Sequence, residues 1–226
     1  MSVIVYSPSW FFGIDALLQS VAVIVSLMLS MAAYRIYSIM RESKFLYFSV
    51  SFVLISFSYI VKILTDLFVY NRIMLEQRPM IDLVVHNFSA IEFVSLFGNL
   101  AHRFLLLLGF LMLIIILLDI FDRRVVFLLV YFTFIVSVFS AWSFILFQTT
   151  VTVFAGTLAL YYLFNYIDNQ KRVIFYSLLG FSLVFLAQIS FMFTFFFERR
   201  MFVMGHMFQT IGFIMLFVTY WLVSRR

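Results

Sequence analysis

Between Arg124 and Asp168 the chain carries no charged residue over the 43 positions from Val125 to Ile167. As one straight helix that run would reach about 65 Å, roughly twice the hydrocarbon core of a bilayer, so it has to fold back within an apolar medium. Gln148, Thr149 and Thr150 mark the expected turn. Upstream, Phe104 to Leu118 has no polar side chain on any face. A helix in water keeps one side polar, so this segment belongs in lipid or deep in a bundle.

Composition points the same way. Of 226 residues, 65% are hydrophobic and 11% charged, and the mean hydropathy is +1.14, far from the balance of a soluble domain. We read an all-α, polytopic membrane protein with one domain over residues 1–226. Apolar segments bounded by charge clusters fall at 10–34, 45–69, 88–118, 125–147, 150–167, 173–197 and 201–223. This gives a bundle of seven transmembrane helices. The first run follows an N-terminus without Lys or Arg and so lacks the basic flank of a secretory signal; it is expected to be a retained span.

The net charge of +5 could suggest nucleic acid, but the basic residues sit in twos and threes at the ends of apolar runs, which is a topology signal. Counting alternate loops puts Arg35, Arg41, Lys44, Arg123, Arg124, Lys171, Arg172, Arg225 and Arg226 on one side, against Arg72, Arg78, Arg199 and Arg200 on the other. The positive-inside rule then places the N-terminus outside and the C-terminus inside, in a multi-pass protein of the cell membrane. The expected partners are the lipid bilayer and a membrane or cytoplasmic protein touching the inner loops near Arg123, Arg124, Lys171 and Arg172; no nucleic acid is expected. Zero Cys excludes disulfides, thiolate ligands and a cysteine nucleophile.

Ionisable and amide side chains are costly in hydrocarbon and mark cavities or pathways. With this topology nearly all of them fall in the outer half. Asp15, Gln19, Ala22, Ser26, Ser30 and Ala33 share an arc of about 80° on the first span, and Ser51, Ser58, Tyr59, Lys62, Thr65 and Asp66 one of about 120° on the second. Glu92, Ser95, Asn99, His102 and Arg103 share an arc of about 100° on the third. On the last span His206, Gln209 and Thr210 form a polar rim over Phe213, Phe217 and Tyr220. The expected lining of an outward-facing polar cavity is therefore Asp15, Gln19, Lys62, Asp66, Glu92, Asn99, His102, Gln188, His206 and Gln209. Lys62 and Asp66, spaced i, i+4, can pair within their helix.

Three functional classes compete. The favoured one is non-enzymatic: a receptor, sensor or transport component that binds a small ligand and needs no cofactor. A structural subunit of a larger membrane complex is nearly as well supported, since 33 Phe residues offer ample packing surface. The enzyme-class alternative is a redox or hydrolase membrane protein with haem, or with zinc or copper, on His102 and His206, helped by His86 and Glu92. Met201, Met204 and Met207 around His206 would suit copper(I), but their spacing spreads them over different faces. No nucleophile elbow, phosphate loop or dinucleotide fingerprint occurs.

Seven spans, an outer N-terminus and polar outer halves resemble the architecture of rhodopsins, seven-helix receptors and seven-helix sensor modules. The resemblance implies an output through another chain. It does not extend to a retinal Schiff base on the last span, because Met201 to Val223 contains no Lys.

Overall fold

The computed structural model describes residues 11, 13–76, 84–120, 122–140, 143–197 and 199–224, with side chains described outside 70–92, 195–199 and 223–224. Among the described residues there are seven helices and no strand. They are α1 (Ile14–Met40), α2 (Ser43–Glu76), α3 (Val84–Leu117), α4 (Arg123–Phe139), α5 (Phe144–Asn169), α6 (Arg172–Phe197) and α7 (Arg199–Ser224). All but α4 are long and apolar enough to cross a membrane. The chain is an all-helical, polytopic membrane bundle.

Six of the helices close into a ring in the order α1, α2, α3, α5, α6, α7 and back to α1, while α4 leans on α3 and lightly on α5 from outside. The reason is visible in the side chains. The ring helices contribute Ala22, Phe52, Ile55, Leu107, Phe110, Val151, Leu158, Val184 and Phe213 to one continuous core. On α4 the buried side chains are Thr133 and Ser137, and Phe127, Leu128, Tyr131 and Phe132 are exposed. At 17 residues, α4 rises about 26 Å and runs back along α3. Phe104 and Phe134 meet edge to face at 5.7 Å, and the Ser137 hydroxyl donates to the Leu100 carbonyl at 3.3 Å.

The fold-back in the charge-free run falls between the end of α4 at Phe139 and the start of α5 at Phe144, ahead of the expected turn at Gln148. Ser140 caps the end of α4, donating from its hydroxyl to the Ser137 carbonyl at 2.6 Å, and the Ser143 hydroxyl accepts from the Leu146 amide at the start of α5. Gln148 and Thr150 continue the α5 helix.

Close approach sets the spacing between α6 and α7. A Cβ built on Gly212 would lie 2.9 Å from the Gly180 carbonyl oxygen and 3.1 Å from the Val184 amide nitrogen, so the two backbones touch there. Small residues allow this, and in lipid such packing holds helices together where the hydrophobic effect between them is absent. The small face of α1 is buried against α2, with Ser30 and Ser49 hydroxyls 3.0 Å apart and Ser56 donating to the Val23 carbonyl, whereas the polar arc of α2 with Ser51, Ser58 and Thr65 is buried against α3.

The ring has two unlike ends. One holds the start of α1 and the last turns of α2, and carries the polar side chains. The other, the Lys44 end, encloses a cleft of about 460 Å³ among α1, α2, α3, α5, α6 and α7.

Candidate functional site

The polar side chains separate into four groups. At the start of α1, Gly13 adopts φ +89, a conformation natural to glycine, and the Asp15 carboxylate accepts from the Gly13 and Ala16 amides at 2.9 Å each. Asp15 is 6% exposed; those two amides are orphan donors of the helix start, so much of its acceptor capacity serves the helix.

The second group lies between α2 and α3. Lys62 pairs with Asp66 at 2.7 Å, as its i, i+4 spacing implied, and also donates to the Asn99 side-chain oxygen at 3.4 Å. Asn99 in turn donates to the Ser95 carbonyl at 2.8 Å. One turn on, His102 is buried, with Nδ1 2.7 Å from the Ser58 hydroxyl and 3.1 Å from the Ser58 carbonyl. The Ser58 hydroxyl also lies 3.0 Å from the His102 carbonyl. This reciprocal lock fixes the imidazole ring against α2. Gly98 makes room for it: a Cβ there would run into Thr65 of α2.

The third group lines the seam of α1, α2 and α7. His206 is packed by the rings of Phe202, Phe191 and Phe11 at 4.6, 4.9 and 5.9 Å. Tyr59 stacks edge to face on Phe213 at 5.9 Å and lies at the same distance from the His102 ring. The Gln209 side chain lies beside the Tyr59 hydroxyl. Four side-chain atoms in the described residues are buried without any hydrogen-bond partner: Gln19 Oε1, Ser26 Oγ, Tyr59 OH and His206 Nε2. Their residues are 5, 0, 4 and 5% exposed. All four belong to α1, α2 or α7.

The fourth group packs on α5. The Gln148 amide nitrogen donates to Gln188 Oε1 at 2.5 Å and to the Gln188 carbonyl at 3.3 Å, so Gln188 closes a bridge between α5 and α6. Arg103 reaches α4, donating to the Ser140 carbonyl and hydroxyl, with its guanidinium over the Phe147 ring at 5.3 Å.

The sequence arc on the third span therefore divides. Asn99 and His102 face α2, whereas Arg103 turns to α4 and α5, because adjacent positions on a helix point about 100° apart and a long side chain extends that divergence. Gln188 leaves the expected cavity lining for its pairing with Gln148. The side chains of Glu92 and His86 lie outside the described residues. Tyr59 and Ser26, which the expected lining omitted, hold two of the four unpartnered atoms. Both lay on the polar arcs of their helices, which was the available signal.

His102 and His206 do not share a ligand set with a third His, Asp or Glu among the described residues. The Nδ1 of His102 is engaged by Ser58, and the rings of Phe11, Phe191 and Phe202 pack on His206. Met204 and Met207 are 44% and 52% exposed, whereas His206 is buried. No family model, no curated protein and no solved structure matches this chain.

Proposed function

We propose that this membrane protein is a binding module, a receptor, sensor or transport component that takes a small hydrogen-bonding ligand at the seam of α1, α2 and α7. The observation that carries the reading is the set of four unpartnered buried atoms, Gln19 Oε1, Ser26 Oγ, Tyr59 OH and His206 Nε2. Each such atom costs about 1–3 kcal/mol, and a ligand that offered donors and acceptors to the set would recover that cost. Neighbouring Phe11, Phe202 and Phe213 supply an apolar wall, which matches the usual mix of a few placed polar groups on an aromatic surface. The Lys and Arg distribution assigns this end of the ring to the outside and the Lys44 end to the cytoplasm. Exposed Arg123, Arg124, Lys171 and Arg172 would then form the contact for a cytoplasmic partner.

The test is a thermal-shift screen of the purified protein in nanodiscs with amino acids, amines, polyols and nucleosides. A true ligand present at about 100 times its dissociation constant should stabilise by ~2.7 kcal/mol. Tyr59→Phe should abolish that gain while leaving the ligand-free protein equally or more stable, since it removes an unpaired hydroxyl. If no compound stabilises and Tyr59→Phe, Ser26→Ala and Gln19→Leu each raise stability, the unpartnered atoms are a packing cost and the reading fails. The second reading, a subunit of a larger membrane assembly, draws support from α4, whose exposed Phe127, Leu128, Tyr131, Phe132 and Phe134 form an aromatic face outside the ring.

A further inference from the structure

We infer that the ligand of the seam is an organic ammonium, a primary or secondary amine in its charged form; this rests on the reading of the seam as a binding site and names what that site takes. The key group is at the start of α1. The bonds from the Gly13 and Ala16 amides both end on one oxygen of Asp15, Oδ1. Among the described residues the other oxygen, Oδ2, has neither a hydrogen bond nor an ion pair, although Asp15 is only 6% exposed. One turn further along the same face, Gln19 Oε1 is also buried without a partner. An ionised carboxylate and an amide oxygen accept hydrogen bonds and cannot donate them. Whatever completes the two must bring donors.

Charge narrows the class. Among the described residues, the charged side chains that act on Asp15 are Asp66 and, less strongly, Lys62, and these two are bridged to each other at 2.7 Å. The bridged pair therefore turns its acidic side toward Asp15. The local balance is two carboxylates against one ammonium, and that ammonium is held by Asp66 and Asn99. Arg103 of α3 reaches away to Ser140 at the end of α4. A cation at Asp15 Oδ2 would supply the counter-charge, and a charge-assisted bond of this kind is about twice as strong as a neutral one.

The layout separates an organic cation from a metal ion. From Asp15 past Gln19 to Ser26, the unpartnered oxygens of α1 extend over a rise of about 16 Å. A metal ion draws its oxygens to within about 2.6 Å of one point, so it could serve only one end of this row. An ammonium on an elongated body can meet Asp15 and Gln19 with its head and extend inward toward Tyr59 and Ser26. At the head end stand the rings of Phe11 and Phe202, with centroids 6.3 Å apart, and aromatic faces attract ammonium groups.

The experiment follows thermal unfolding of the full-length protein in nanodiscs with three probes that share a phenylalkyl body: 2-phenylethylammonium, 2-phenylethanol and 3-phenylpropanoate. The ammonium should stabilise saturably and the other two should not. Asp15→Asn keeps an oxygen for the Gly13 and Ala16 amides while removing the charge, and should weaken the ammonium about ten-fold. If Asp15→Asn loses its thermal transition, Gln19→Leu, which removes the second acceptor, should weaken it to a similar degree. Equal stabilisation by the alcohol or the carboxylate, an ammonium effect unchanged in these variants, or the same saturable shift from sodium chloride alone would each overturn the inference and leave the seam a site for another class. If none of the three probes stabilises but the wider screen yields a neutral ligand sensitive to Tyr59→Phe, the ammonium class falls and the seam stands. If both screens are blank, the binding reading falls and the inference with it.

Discussion

Replacing Gly212 by Ala tests whether backbone contact between α6 and α7 sets the geometry of the ring. The new methyl group would sit 2.9 Å from the Gly180 oxygen, 3.0 Å from a Val184 methyl and 3.1 Å from the Val184 nitrogen. Two of those three obstacles are main chain and cannot rotate away, so the helices must separate, at an overpacking cost of about 2–3 kcal/mol. Against this, Ala gains roughly 1 kcal/mol over Gly in a helix interior. The net expectation is a loss of about 1–2 kcal/mol, or ~2–8 °C in a chain of this size. Gly156 is the internal control. Its Cβ would meet the edge of the Phe185 ring at 3.0 Å, and that ring can tilt. There the helix gain should balance the contact, leaving stability within about 0.5 kcal/mol of the parent. Thermal unfolding of both variants in one detergent decides the matter. If Gly212→Ala is as stable as Gly156→Ala, the close approach of α6 and α7 does not hold the ring.

Two further expectations rest on single contacts. Gln148→Leu should destabilise by about 1–3 kcal/mol because it strands the buried Gln188 amide, and the double variant Gln148→Leu, Gln188→Leu should recover most of the loss; a double variant worse than the single one would refute the bridge. The absence of Cys makes topology directly readable: Ser38→Cys and Asn169→Cys should label from the cytoplasmic face and Ser2→Cys from the other, and labelling of all three from one face would contradict the assignment.

The helical bundle was legible because long apolar runs leave a chain in lipid little alternative to helix. The inward small faces of α1 and α2 were legible for the same reason, since Ser26, Ser30, Ser51 and Ser58 fall at helical spacing. The fold-back was misplaced because polarity is a poor turn signal where hydroxyls can be satisfied within a helix. Thr150 and Thr152 donate to the carbonyls of Leu146 and Gln148 one turn earlier, and so continue α5 without penalty. Gln148, with its primary amide, is satisfied from another helix, by a partner forty residues away that no local pattern indicates. The same limit applies to the site. The Lys62–Asp66 pair follows from spacing alone, but the lock of His102 to Ser58 and the departure of Arg103 to Ser140 depend on which helices become neighbours.

The closure of the ring between its first and last helices bears on the order of assembly. Contacts of α1 with α2, and of α6 with α7, join segments adjacent in sequence and can form while the chain is still being made. The contact of α1 with α7 joins the two extremes and must wait for the whole chain. His206 and Gln209 arrive with that final step, so the groups on α1 and α2 that they meet stay unassembled until it occurs. A chain released before α7 would keep several helical hairpins, yet its polar seam would not exist. An assembled seam is therefore also a reading of whether synthesis and insertion were completed.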